Sequence, residues 1–243
     1  MREDFSGTSM VSIKWVLSRA GRKAWALDND PEVFDWAYKM HIPNLSSEQK
    51  EALQLRLQDV LKVDEASPPI PNCDVICANN YSWQCFKEAA PMKSYFEGVL
   101  KGLNDRGIFV VDIFGGRDTR KESREDITTH EITLNDGSSG KFTYVYEQMN
   151  VKLETHDMDI GVNFEFSDGS CMTHAFRYSW RVWPMTEVQN LMYEVGFSKV
   201  EIYKDWSDEQ GLYRHGKTPI SLEEWNKCVA DEEYVSAYVV ARK

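Results

Sequence analysis

The chain has 243 residues, with 28 basic and 39 acidic side chains and a formal net charge of −11. Hydrophobic residues make up 42% and charged residues 28%, an ordinary globular balance that argues against a disordered or fibrous chain. The excess of carboxylates argues against a broad nucleic-acid footprint or an anionic membrane surface, since both need clustered Lys and Arg.

No apolar run approaches the ~20 residues needed to span a bilayer, and the charged start MREDF is not a secretory signal. Cys73, Cys77, Cys85, Cys171 and Cys228 are odd in number and match no metal-ligand spacing. They read as free thiols in a reducing, cytoplasmic setting.

In chain order, an acidic turn containing Gly7 (residues 3–9) precedes a helix over 9–19, where Val11, Trp15 and Val16 recur at helical spacing. Residues 23–27 form a short apolar run closed by Asp28. Asp30 as N-cap and Pro31 at the first helical position open a helix over 31–40, with Val33, Phe34, Ala37 and Tyr38 as its stripe. Residues 44–50 read as a polar linker, 55–57 with Val60 as a strand region, and 66–72, with three prolines, as irregular chain. A strand over 73–78, a helix over 92–103 and a turn over 104–107 follow. The run 108–113 (IFVVDI) is continuous enough for a strand buried on both faces.

The second half changes character. Residues 131–134, 142–149, 160–166 and 172–182 alternate like strands, separated by turns at 135–140 and 167–169. This pattern predicts an antiparallel meander inserted over 129–183. A helix over 186–195, with Thr186 as N-cap and Gly196 at its end, precedes strands over 197–203 and 234–241.

Strands alternating with helices predict a parallel sheet, and ligands of such sheets collect at the carboxyl ends of the strands. Gly7, just before a helix, lets a ligand approach the backbone and the helix N-terminus. Asp28, closing the second strand, is placed to accept both hydroxyls of a ribose. Asp59, after the third, can accept from an adenine amino group. The loops at 79–83 and 112–116 complete the edge, the latter with Gly115 and Gly116 permitting a tight turn. The histidines form no HxxxH pair, and Gly-x-Ser-x-Gly and Walker phosphate loops are absent.

Taken together, these segments resemble the class I S-adenosylmethionine-dependent methyltransferases. REDFSGTS resembles that family's first motif in the branch written roughly LREDFCGTG. ALDNDPEVFDWA resembles its ribose-binding segment, and Gln58-Asp59-Val60 its GDV adenine motif. CDVICANNYSW resembles the fourth motif, and TEVQNLMYEVGFSKVEIY the late helix, GF turn and strand.

The resemblance implies a Rossmann-like, doubly wound α/β sheet of seven strands, the last antiparallel, in a single domain over 1–243 that begins inside its first strand. It implies S-adenosylmethionine as cofactor, held by Arg2, Glu3, Phe5, Ser6, Gly7, Thr8, Asp28, Asn29, Asp59, Val60 and Asn79. Asn80 and Tyr81 would line the methyl-transfer position, the meander over 129–183 would form the substrate lid, and no metal is required. The acceptor would be a small-molecule or protein nucleophile. Phe5 and Ser9 stand where the family's first motif usually has its outer glycines. Two other classes stay open: a non-catalytic methyltransferase-like subunit that binds cofactor or a partner, and a nicotinamide-dependent oxidoreductase, which the absence of GxGxxG disfavours.

Overall fold

The computed structural model describes residues 1–133, 137–207 and 213–243. The chain opens with β1 (Arg2–Asp4), α1 (Met10–Ser18), β2 (Ala24–Asp28) and α2 (Pro31–Met40), followed by α3 (Ser47–Ala52) and β3 (Leu53–Leu57). Then come β4 (Cys73–Ala78), α4 (Ala89–Gly102) and β5 (Leu103–Gly115). Four consecutive strands form the insertion: β6 (Arg124–Thr133), β7 (Ser139–Lys152), β8 (Asp157–Phe166) and β9 (Cys171–Arg181). The chain closes with α5 (Met185–Val195), β10 (Lys199–Ser207), β11 (Tyr213–His215), α6 (Leu222–Asp231) and β12 (Val235–Arg242).

The main sheet has the order β11-β10-β12-β5-β4-β1-β2-β3. Strands β1 to β5 pair in parallel, and β12 lies antiparallel between β5 and β10. This is the doubly wound sheet of seven strands with an antiparallel last strand that the resemblance implies, with the short β11 added as an eighth at the edge beside β10. The winding reverses between β1 and β4, so the crevice that such sheets offer to ligands opens above the ends of those two strands.

Helix α2 is capped by Asp30, whose side chain accepts from the Glu32 N–H at 2.9 Å, and it buries Phe34 and Ala37. Helix α4 buries Met92, Tyr95, Phe96 and Val99, an i, i+3, i+4, i+7 stripe. That stripe joins Phe109, Ile113, Phe197 and Val239 in the largest core, on one side of the sheet. A smaller core with Ile13, Val16, Leu45 and Leu53 lies under α1 and α3. The four-stranded antiparallel sheet β6-β7-β8-β9 meets the main sheet through a third cluster, built from Phe114, Met158, Ile160, Val162 and Trp180.

Several local expectations are corrected. The polar stretch 44–50 is not a linker. Ser46 accepts from the Gln49 N–H while the Gln49 side chain accepts from the Ser46 N–H, and this reciprocal capping box starts α3. The expected turn at 104–107 is part of β5, taken up as a register shift against β4, with Arg106 at φ 64°. The N-cap of α5 is Pro184 rather than Thr186. The end of the expected strand at Leu134 and the start of the turn at 135–136 lie outside the described residues. Among the described residues, no helix is long and apolar enough to cross a membrane.

Candidate functional site

After β1 the chain turns through residues 5–9, and three of them are left-handed: Phe5 at φ 53°, Gly7 at 50° and Ser9 at 63°. A non-glycine residue there costs on the order of 1–3 kcal/mol, so the turn must be held from outside. The Ser6 N–H donates to the Leu27 carbonyl at 2.9 Å, and the Ser9 N–H to the Ser6 carbonyl at 2.8 Å. The Gly7 N–H donates to Asp28 Oδ2 at 2.7 Å. Asp28 therefore fastens the first loop to the end of β2, while its Oδ1 accepts from the Asp30 N–H at 3.1 Å. A Cβ built on Gly7 would meet nothing within 4 Å, so the space above this backbone is open.

The neighbouring loops join this edge through the backbone. The Gln58 N–H donates to the Asp28 carbonyl at 2.8 Å. Asp59 accepts from the Leu61 N–H at 2.9 Å and caps a short turn over Val60–Glu65. Val60 is buried in the main core, Asn29 is exposed, and Thr8 and Asn79 are half-buried.

Three expected cofactor contacts from the first motif are committed elsewhere. Arg2 is buried and its guanidinium grips Asp4 with two bonds, Nε to Oδ1 at 2.8 Å and Nη2 to Oδ2 at 3.0 Å. The Tyr95 hydroxyl donates to the same Asp4 Oδ2 at 3.0 Å. A Cβ on Gly102, at the far end of α4, would stand 2.8 Å from Arg2 Nη1, so this side chain points away from the carboxyl edge. Glu3 is buried and accepts the Ser12 N–H of α1 at 2.7 Å; burial pushes its carboxyl up to about 7. The Phe5 ring packs on Phe86 and Tyr95, at 5.9 and 5.8 Å between centroids.

The loop after β4 is built on a residue that sequence reasoning left unassigned. Asp112, in β5, accepts the Asn80 N–H at 2.6 Å on one carboxylate oxygen and the Tyr81 N–H at 2.8 Å on the other. Both residues are left-handed, at φ 58° and 56°. Its carbonyl accepts Trp83 Nε1–H at 2.7 Å. Burial raises the Asp112 carboxyl to about 6 against these donors, which pull it down. The available signal was an aspartate inside an otherwise apolar strand.

Asn80 is exposed at the edge. Tyr81 turns toward the insertion. Its ring lies 4.8 Å from Phe114 and 6.2 Å from Trp180, and its hydroxyl shares a 2.9 Å bond with that of Tyr234. Burial pushes that hydroxyl well above the ordinary phenol value. Beyond Phe114, Gly116 takes φ 116°, and a Cβ there would stand 2.4 Å from the Glu233 carbonyl oxygen, so only glycine fits. Among the described residues, no group of His, Cys, Asp and Glu side chains is placed to hold a metal ion.

The edge therefore gathers Gly7, Asp28, the Asp59 loop and the Asn79–Tyr81 loop around the switch point, with the antiparallel sheet attached beside Tyr81. No family profile and no curated protein matches the chain. Solved structures do match, throughout nearly its whole length. An S-adenosylmethionine-dependent methyltransferase from Clostridium acetobutylicum aligns with a TM-score of 0.63 at 14% identity, covering 98% of this chain and 82% of that one. CalS10 from Micromonospora echinaspora, an amino pentose methyltransferase involved in calicheamicin biosynthesis and solved with S-adenosylmethionine, gives 0.62 at 10% identity, covering 99% and 81%. The glycopeptide N-methyltransferase MtfA, solved with S-adenosylhomocysteine, gives 0.54 at 13% identity, covering 99% and 81%. At these identities the likeness is one of fold: the chain has the class I methyltransferase fold.

Proposed function

We propose that the protein is a methyltransferase that moves the methyl group of S-adenosylmethionine to a nucleophile on a small molecule. The observation that carries this reading is the Asp28–Gly7 bond. It sets an acidic side chain at the end of β2 against a left-handed glycine whose backbone faces open space. Each Asp28 oxygen spends one acceptor position on a backbone N–H, and a carboxylate has roughly four. Two remain for the hydroxyls of a ribose. Asp59 and Val60 would flank the adenine, and Ser6, Thr8, Asn29 and Asn79 would line the remainder of the site. Arg2, Glu3 and Phe5 support it from beneath.

Bound S-adenosylmethionine supplies an electrophilic methyl group. The protein's part in such a displacement is alignment. The Asp112 carboxylate fixes the two strained residues of the post-β4 loop, and Asn80 then presents its amide to the acceptor. Tyr81 links this loop to the antiparallel sheet, which we read as the substrate lid. Solved neighbours named as an amino pentose methyltransferase and a glycopeptide N-methyltransferase favour an amine acceptor on a small molecule. The five unpaired cysteines favour a cytoplasmic setting.

Calorimetric titration with S-adenosylhomocysteine and with NAD tests the cofactor half, and release of S-adenosylhomocysteine in the presence of small amines tests the transfer half. Saturable binding of S-adenosylhomocysteine with turnover of an amine is expected. Binding without turnover of any acceptor would assign a non-catalytic subunit, and preference for NAD would overturn the reading.

A further inference from the structure

Beside the methyl-transfer loop, on the other side of Phe114, lies a second concavity that the reading above does not use. It is a cleft of about 160 Å³ between the end of β5, the β7–β8 turn and helices α5 and α6. Its floor is apolar: Phe114, Trp183, Met185 and Trp225 are buried, and Val229 closes one side. Its rim carries Arg120, Lys152 and His156, all exposed, and no Asp or Glu lines it. In a chain of net charge −11, an all-basic rim without a single carboxylate is a local inversion of the surface.

Lys152 faces Asp157 across the strand pair and its charge also acts on Asp159, but on the Arg120 side the neighbouring carboxylate, Asp118, does not neutralise the rim. Asp118 is already paired with Lys121 at 2.8 Å and Arg124 at 3.2 Å. Lys152 also borders a polar hollow that holds Asp157 and Asp159. Neither it nor Arg120 forms an ion pair with any described residue.

We propose that this cleft binds a small carboxylate carrying a single ring. The size argument sets the apolar part: a cavity of about 150 Å³ accepts one benzene ring, and the whole cleft, with its floor of rings and aliphatic groups, is of that size. The charge argument sets the polar part. A carboxylate at the mouth meets the planar guanidinium of Arg120, which can donate two parallel N–H bonds, and the ammonium of Lys152. None of the rim residues belongs to the cofactor loops, so S-adenosylhomocysteine affinity reads apart from this site, although Lys152 and His156 lie in the insertion read above as the substrate lid.

The test is calorimetric titration of the intact protein with phenylacetate and with its neutral isostere, phenylacetamide. Phenylacetate is expected to bind with one-to-one stoichiometry, and the amide at least tenfold more weakly. Arg120→Glu should weaken phenylacetate at least tenfold, Lys152→Gln should weaken it severalfold, and neither should change the thermal midpoint or S-adenosylhomocysteine affinity. Val229→Phe, which fills the floor, should abolish binding of both probes. The proposal fails if phenylacetate shows no binding at millimolar concentration, if acid and amide bind alike, or if Arg120→Glu leaves the acid's Kd within twofold.

Discussion

Replacing Asp28 by Ala separates the two tasks assigned to its carboxylate. In the folded chain it accepts the Gly7 N–H at 2.7 Å and the Asp30 N–H at 3.1 Å, and the two acceptor positions left over are those proposed above for a ribose. Hydrogen bonds to a charged group contribute about 1.5–3 kcal/mol when the partner is desolvated. Asp28 is only half-buried, so the ribose diol as a whole is assigned about that range rather than twice it. The dissociation constant for S-adenosylhomocysteine should therefore rise about 10- to 150-fold. Releasing the Gly7 and Asp30 N–H groups to water should cost about 1–2 kcal/mol of stability, a fall in Tm of about 2–8 °C. Calorimetry well below that midpoint, with circular dichroism to confirm the fold, reads the affinity apart from the stability. A dissociation constant within threefold of the parent, in a folded variant, would refute the assignment of Asp28 to the ribose.

Four further outcomes are expected. Glu3 titrates near 7 in the fold against an ordinary 4.5, so its contribution to stability is fully present below about pH 4.5 and is lost as pH rises through 7, on the order of 3 kcal/mol. Glu3→Gln keeps the acceptor for Ser12 and should match the parent near pH 4 but exceed it by about 1–3 kcal/mol at pH 8 in urea unfolding; an equal difference from the parent at both pH values would contradict this. Asp4→Ala leaves the buried Arg2 unpaired and should cost about 3–5 kcal/mol, read as a Tm lowered by roughly 6–20 °C. Tyr81→Phe removes the bond to Tyr234 and should cost about 0.5–1.5 kcal/mol, whereas Tyr81→Ala also empties the contact with Phe114 and Trp180 and should cost about 3 kcal/mol in denaturant titration. Replacing residues 124–181 by a short Gly/Ser loop should leave S-adenosylhomocysteine affinity within threefold and remove turnover; loss of affinity in a folded variant would show that the insertion is no lid.

The α/β half was legible because its signals are local. Asp30-Pro31 announces α2, the apolar run over 108–113 announces β5, and Asp28 and Asp59 mark the ends of β2 and β3. Helix α3 was obscured by its composition, since Ser46 and Gln49 cap it reciprocally while no residue inside it is buried. The roles of Arg2 and Asp4 were hidden for a different reason. They stand two apart on one face of a strand, and Tyr95, which completes their cluster, comes 91 residues later. Only the parallel pairing of β1 with β4 brings α4 over them. Asp112 was visible as an interruption of an apolar run, but its partners, the N–H groups of Asn80 and Tyr81, carry no sequence signature.

The acids of the main sheet now sort by how their oxygens are spent. Glu3, Asp4 and Asp112 are buried, and each is engaged by protein donors: an α1 amide, the Arg2 guanidinium with the Tyr95 hydroxyl, and two loop amides. Their work is to hold strained or charged structure in place beneath the carboxyl edge. Asp28 alone among these four keeps solvent access while pinning the loop beside it. An acid that must both shape the first turn and still accept hydroxyls has to sit at the end of β2. There the turn's one glycine comes within 2.7 Å of it, and backbone rather than side chains faces the open space. This explains how the loop can tolerate Phe5 and Ser9 in left-handed positions: the ring of Phe5 is half-buried against Phe86 and Tyr95, Ser9 is buried, and only at Gly7 must the surface stay clear. The absence of two glycines from this turn is therefore compatible with an adenosine-binding edge, because the approach that needs a bare backbone occurs at Gly7.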